Sequence, residues 1–378
     1  MKTTLVLLFA LAFAPWGFTQ TQPVKPEPKA YTVYVSPAKP LLFGHDHNSE
    51  GFLVPLDDGT LRLIFRVDPG TKGDHVGTDG YIAQVSYDPR QDTWGQATTV
   101  YNSPQWDDRN IHGGITREGR IVVFLRRFDG KKTDGIYFIY SDDKGRTWSP
   151  LQTYGKTEGM VGTGQMFYNP DIGKYSIMYR TDNRNEILFS DNGSSWKESR
   201  LVAHDPKTDL TEIAGAWAGN NQIVALIRDD KRKYGHPLLQ VTSRDNGQTW
   251  STPAATNLPP KQHWGAAPQL IYDQKRDLLI ALNSDRYSRP NEQNSLFIYT
   301  ARPADVIENP KGWTLQHELK RPWASLGFEG DRPLNQNLYG YATIAPINEN
   351  EYLVVFTERA VMQGTEQADL YYFRMILK

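Results

Sequence analysis

One turn, written several times at near-constant spacing, constrains this chain more than any other feature. Two copies are complete: Ser141-Asp-Asp143-Lys-Gly145-Arg-Thr147-Trp148 and Ser243-Arg-Asp245-Asn-Gly247-Gln-Thr249-Trp250, both of the form S-x-D-x-G-x-T-W. A third is one residue short, at Ser190, Asp191, Gly193, Ser195 and Trp196. A degenerate copy sits at Ser86, Asp88, Thr93 and Trp94, and a fainter one ends at Gly312-Trp313. Counted from Ser86, Ser141, Ser190, Ser243 and Thr300, the gaps are 55, 49, 53 and 57 residues. That period is too long for one hairpin and suits one four-stranded blade of a β-propeller. The letters of the turn have physical reasons. An aspartate can accept backbone N–H bonds inside a tight turn, glycine tolerates positive φ, and the tryptophan can pack between blades. All of these roles are structural, so the turn predicts a fold and no chemistry.

A second regularity agrees with the first. Two-strand units around a polar turn occur at 53–66, 115–127, 166–180, 213–228, 269–286 and 344–359, and β-branched and aromatic residues fill the second strand of each. The predicted architecture is all-β: a six-bladed propeller of four-stranded antiparallel blades over residues 31–378. The segments 31–37 and 368–377 are expected to share one blade and so close the ring without leaving an exposed edge. Each unit ends near an arginine: Arg66, Arg127, Arg180, Arg228, Arg286 and Arg359. In a propeller the first strand follows the axis and the second returns. The arginines should therefore ring the face where first strands begin, with about half of them idle.

Composition excludes several classes. The 378 residues carry a formal net charge of -1, without the basic excess that phosphate backbones demand, so no nucleic-acid partner is expected. With no cysteine there is no disulfide, thiolate metal site, cysteine nucleophile or lipidated N-terminal cysteine. Residues 1–20 read as a secretory signal, with Lys2 ahead of an apolar run from Thr4 to Ala14. That run is too short to span a bilayer, and no later segment is a candidate. A Pro-rich leader follows at 21–30. The expectation is an exported protein, periplasmic or secreted, with no membrane span.

Polar residues lead into the apolar first strands, and polar groups entering a core are costly unless paired or used. The segments are 45–50 (HDHNSE), 107–110 with His112, 163–165, Thr211-Glu212, 262–264 (QHW) and 339–341 (YGY). With these residues the repeated turns resemble the Asp boxes, or BNR repeats, of the sialidase (neuraminidase) superfamily, over nearly all of residues 31–378. The resemblance implies a tyrosine nucleophile opening the last blade, a partner glutamate opening a middle blade, and arginines for the substrate carboxylate. Tyr341 takes the nucleophile position, with Tyr339 as the alternate. Glu212 resembles the partner base and Arg228, 16 residues on, a carboxylate-binding arginine. Arg286 or Arg289 could be another, Glu358 falls where a strand-ending glutamate is expected, and Asp74 lies near the family's acid/base aspartate. One departure stands out. The family opens its first blade with an arginine in a Tyr/Phe-Arg-Ile-Pro motif, and here residues 48–52 read NSEGF. Arg109 could replace that arginine from the next blade, or the substrate differs from sialic acid.

The chemistry suits the residue types. An anionic sugar repels a carboxylate nucleophile, whereas a neutral tyrosine can attack while a glutamate takes its proton. Arginine recognises a carboxylate bidentately. The candidate set is Tyr341, Glu212 and Asp74 for catalysis, with Arg228, Arg286, Arg109, Arg66, Glu358, His47 and His263 for substrate. No cofactor or metal is implied, although His45 and His47 form an H-x-H pair that could hold an ion or serve only as polar loop residues. The primary reading is an exo-acting glycoside hydrolase releasing a terminal acidic sugar from an oligosaccharide or glycoconjugate. Two alternatives stay open: a propeller lyase on uronate glycans, using His45, His47 or His112, and a non-catalytic glycan-binding propeller with Trp264 as a stacking platform.

Overall fold

The computed structural model describes residues 31–42, 46–69, 79–155, 164–181, 184–231, 236–260, 264–285, 295–320, 338–362 and 365–378. The chain divides into two units, Met1–Tyr31 and Thr32–Lys378, and every element below belongs to the second. The signal and leader segments lie outside the described residues, as do His45, Asp74, His263, Arg286 and Arg289. Among the described residues there is one helix, Pro303–Glu308, and none long and apolar enough to cross a membrane.

Strands dominate because β-branched and aromatic residues alternate across short runs bounded by turn residues. Four sheets of four antiparallel strands follow one another. Their first strands are Asp107–Ile115, Phe167–Asn169, Leu210–Trp217 and Gly265–Asp273, and their second strands Ile121–Phe128, Lys174–Thr181, Ile223–Asp229 and Leu278–Asp285. The remaining strands form a ten-stranded sheet that joins the two ends of the unit. One part runs His47–Pro55, Leu61–Asp68 and Tyr81–Asp88; the other runs Leu338–Pro346, Glu351–Met362 and Thr365–Leu377. The two parts meet at one parallel bridge, Ala368 to His47. Val33–Val35 pairs antiparallel with the strand Thr365–Leu377, and Thr32 and Lys378 exchange backbone bonds of 3.0 and 3.1 Å. This is the pairing expected of segments 31–37 and 368–377.

The repeated turns connect third to fourth strands. In the copy at 141–148, the Ser141 hydroxyl donates to Asp143 Oδ1 (2.8 Å) and accepts from the Gly145 amide (2.9 Å). Asp143 also accepts from the Thr147 amide (2.8 Å) and hydroxyl (2.6 Å). The copy at 243–250 repeats these bonds with Ser243, Asp245, Gly247 and Thr249. Gly145 and Gly247 sit at φ +81° and +80°, where a Cβ would be strained. The shortened copy uses a different residue from the one expected. Asn192, not Asp191, accepts the Ser194 amide (2.9 Å), while the exposed Asp191 carboxylate lies 3.5 Å from Lys174. The faint fifth copy is replaced by the helix Pro303–Glu308, yet Trp313 is still buried and donates to Gln240 Oε1 at 3.0 Å.

The core lies between sheets. One apolar cluster packs Phe124 and Phe138 against Tyr175, Ile177 and Trp196; another packs Leu226 against Leu279, Phe297 and Trp313. Each joins one sheet to the next, so the first strands are held side by side. Gln165 crosses from before Phe167–Asn169 and donates to the Thr343 hydroxyl and, at 3.1 Å, to the Ile344 carbonyl. Thr343 also accepts the Leu53 amide at 3.0 Å. These bonds form a floor beneath the polar starts of the first strands.

Candidate active site

Near its start, each of five first strands breaks register with its partner: between Ser49 and Gly51, Arg109 and His112, Leu210 and Ile213, Ala266 and Gln269, and Gly340 and Thr343. A bulge inserts an extra residue and re-aims its side chain. The inserted residues include Glu50, Asn110, Glu212, Ala267 and Tyr341. Four of them hold positive φ: Glu50 (47°), Asn110 (51°), Ala267 (46°) and Tyr341 (49°). Such a conformation in a non-glycine residue costs about 1–3 kcal/mol and clusters at functional sites. Here the same strained position recurs from sheet to sheet and points polar groups at one another.

Two carboxylates cap neighbouring bulges in the same way. Glu50 accepts the Asn110 amide at 2.6 Å, and Glu212 accepts the Ala267 amide at 2.7 Å through Oε2. The other oxygen of Glu212 gathers the candidates. Its Oε1 accepts the Tyr341 hydroxyl at 3.0 Å and Arg228 Nη1 at 2.9 Å. Glu212 is 3% exposed and Arg228 7%, so this cluster is shielded from water while Tyr341 stays partly open. Arg228 also lies 2.5 Å from Asp230 and 5.0 Å from the centre of the Trp264 ring. Trp264 is itself fixed, its amide donating to Asp285 at 3.0 Å. Arg228 is thus held on three sides, and Tyr341 shares a carboxylate oxygen with a cation.

Other predicted residues stand elsewhere. Arg66 is fully buried and spent on carboxylates: Nε and Nη2 each reach Asp107 at 2.9 Å, and Nη2 also bonds Asp68. It braces the wall between two sheets. Arg109 leans on Asp107 at 3.3 Å and is 3% exposed. His47 is buried opposite Asp68 at the parallel bridge, and Glu358 is buried opposite Asp369 and Tyr339. Asp74, His263 and Arg286 are outside the described residues. Arg127, one of the expected ring, turns away to bond Asp134 and, at 2.7 Å, the Tyr137 hydroxyl.

Two residues went unnoticed by sequence reasoning. Glu50 was seen only as the end of the polar segment 45–50 and was given no role, and Arg126 was passed over for Arg127. A signal existed. Glu212 and Arg228 are 16 apart, and the same interval separates Glu50 from Arg66 (66 − 50), Asn110 from Arg126 (126 − 110) and Tyr341 from Thr357 (357 − 341). These hairpins have equal arms, so the spacing marks equivalent positions.

Burial sets the protonation of the second sheet. It pushes the Asp108 carboxyl up to about 6, although Ser103 donates to it twice at 2.7 Å. It drives the His112 imidazole down to about 4, so His112 is neutral at physiological pH. Arg126 is lowered to about 10, first by burial and then by Arg109.

A cleft of about 570 Å³ lies at the other end of the first strands, beside Phe167, Tyr168, Trp217 and Tyr272. It gathers no acid–base pair. The candidate acid–base and cationic groups lie instead at the strand starts, where strained bulges and buried charges converge.

Residues 77–342 match a family model described as a BNR repeat-like domain. A curated sialidase from Clostridium perfringens is 26% identical over 258 residues, covering 56% of this chain and 64% of that protein. The chain therefore spans less than two thirds of that relative's length. A Dyadobacter fermentans protein of unknown function superposes with a TM-score of 0.72 at 17% identity, covering 92% of this chain and 99% of that one. The intramolecular trans-sialidase of Ruminococcus gnavus gives 0.61 at 13%, covering 87% and 94%. The NanB sialidase of Streptococcus pneumoniae gives 0.63 at 13%, covering 89% and 70%. At these identities the structural likenesses speak to the fold, which is the propeller of sialidases.

Proposed function

The chain belongs to the BNR repeat-like domain family of the sialidase superfamily, and on that premise we propose that it is an exo-acting glycoside hydrolase releasing a terminal acidic sugar, sialic acid or a related one, from a glycan. The observation that carries this reading is the shared oxygen of Glu212, which accepts both the Tyr341 hydroxyl (3.0 Å) and Arg228 (2.9 Å). In this reading the ten-stranded sheet is two blades joined at the Ala368–His47 bridge, which makes six with the four separate sheets. Residues 1–20 direct export and the mature chain works outside the cytoplasm.

The steps follow from the residues. Tyr341 Oη attacks the anomeric carbon as its proton passes to Glu212 Oε1. The glycosidic C–O bond breaks, and the leaving oxygen takes a proton from Asp74, the acid assigned by resemblance. Water then attacks the tyrosyl-linked sugar, Asp74 takes its proton, and the phenolate is reprotonated from Glu212. Each carboxyl returns to its starting state. A partly open tyrosine in a strained backbone position is pre-aimed, so little reorganisation is needed on attack. Arg228 keeps Glu212 in place through a charge-assisted bond.

The lyase alternative loses support at His112. That imidazole is enclosed, near Asn110 O through Nδ1 at 3.3 Å, and too weak a base to collect a carbon-bound proton. The test is a screen of acidic glycans, sialosides and uronate polymers included, read by product mass and ultraviolet absorbance. Hydrolysis adds one water to the products and creates no absorbing unsaturated uronate. Appearance of that absorbance would replace the hydrolase reading with elimination.

A further inference from the structure

We propose that, within the acidic-sugar reading above, Arg126 anchors the substrate carboxylate in place of the arginine missing from the start of the first sheet. Arg126 occupies in the first of the four separate sheets the position that Arg228 occupies in the third, each 16 residues after its bulge residue. What differs is the bulge residue. Arg228 bonds a glutamate at the bulge, whereas the corresponding bulge residue 16 positions before Arg126 is Asn110, which brings no negative charge. Asn110 instead donates through its amide and Nδ2 to Glu50, at 2.6 and 3.3 Å, so that carboxylate is already engaged.

The consequence is a cation left waiting. Arg66 has Asp68 and Asp107; Arg228 has Glu212 and Asp230. No carboxylate among the described residues lies within ion-pair distance of Arg126, and its Nε is shut off from solvent without a hydrogen-bond acceptor. A half-buried guanidinium whose Nε is enclosed without a counter-ion is costly, and an incoming carboxylate relieves that cost. Position agrees with the role. Arg126 is the Cα partner of Arg109, and their guanidiniums stand 5.2 and 5.6 Å from the same Phe128 ring. Glu50, Asp107 and Tyr341 are among the groups near enough to Arg126 to bear on its protonation. Adjacent residues of a strand face opposite sides, and Arg127 accordingly points to Asp134 and Tyr137.

The experiment is calorimetric titration of the full chain with N-acetylneuraminic acid and with D-glucuronic acid, each beside its methyl ester. Wild type should prefer at least one free acid to its ester. Arg126→Ala should weaken binding of that acid about 10- to 100-fold and leave the ester unchanged, as loss of charge-assisted bonds requires. Arg126→Lys, which keeps the charge but loses the planar fork, should recover only part of the preference. Arg127→Ala should keep all of it. Full preference in Arg126→Ala overturns the assignment; if that variant does not fold, full preference in Arg126→Lys overturns it. If wild type prefers neither acid to its ester, the acidic-sugar reading falls first and the assignment of Arg126 falls with it.

Discussion

Replacing Glu212 by glutamine changes one oxygen into an NH2 group, and the surroundings leave no comfortable place for it. With the NH2 at the Oε2 position it faces the Ala267 amide, a donor now 2.7 Å away. At the Oε1 position it faces Arg228 Nη1 at 2.9 Å and the Tyr341 hydroxyl at 3.0 Å. Either orientation leaves a buried donor unsatisfied, which costs about 1–3 kcal/mol. Loss of the charge opposite Arg228 adds to this; breaking a buried pair outright costs about 3–5 kcal/mol. Asp230, 2.5 Å from Arg228, still supplies a counter-charge, so the total should stay near the lower figure, about 2–3 kcal/mol. The effect on rate should be larger. Removing the group that takes the Tyr341 proton should lower kcat about 10²- to 10⁴-fold. Urea denaturation measures the first quantity, and turnover of an aryl glycoside of N-acetylneuraminic acid the second. A variant that loses stability but keeps full kcat would reduce Glu212 to a prop for Arg228. A variant that changes in neither would contradict the hydrogen-bond geometry itself.

Two further outcomes follow from the scaffold. Trp196→Ala removes a buried indole that lies edge-on to Phe124 at 5.1 Å and donates to the Gly193 carbonyl at 3.0 Å; urea denaturation should show a loss of about 3–5 kcal/mol. The Asp108 carboxyl is raised from 3.8 to about 6 in the fold by burial, so the native state binds the proton more tightly than the unfolded chain. Its contribution is therefore favourable below about pH 4 and is lost as pH rises towards 6, on the order of 3 kcal/mol. Asp108→Asn should remove that pH dependence and be more stable than wild type at pH 7. Parallel stability profiles for the two proteins between pH 4 and 7 would refute the assignment.

The scaffold was legible because it is periodic. The complete turns at 141–148 and 243–250 announce bonds that the structure repeats atom for atom. The chain-closing pair of Val33–Val35 with Thr365–Leu377 followed from the need to close the ring without an exposed edge. The candidate site was legible where it reused that periodicity: Tyr341, Glu212 and Arg228 all sit at bulges or their partners. It was missed where a one-residue choice decides direction. Arg126 and Arg127 are adjacent and chemically identical, yet a strand sends them to opposite faces. Glu50 was obscured for another reason: its importance is conformational, since the bulge that turns it towards Asn110 has no letter of its own in the sequence. Arg66 misled because position at a strand end does not reveal partners. Asp68 lies two residues on, but Asp107 comes from the next sheet.

The most direct measurement is the mass of the protein trapped with a fluorinated, acidic glycosyl fluoride that forms a glycosyl-enzyme but releases it slowly. One sugar should be found on the wild-type chain, attached to the peptide containing Tyr341, and none on Tyr341→Phe, which should still fold while losing about 1–3 kcal/mol with its bond to Glu212. An equal adduct on Tyr341→Phe, or undiminished hydrolysis by that variant, would move the nucleophile to another residue and contradict the role given to the Tyr341–Glu212 pair.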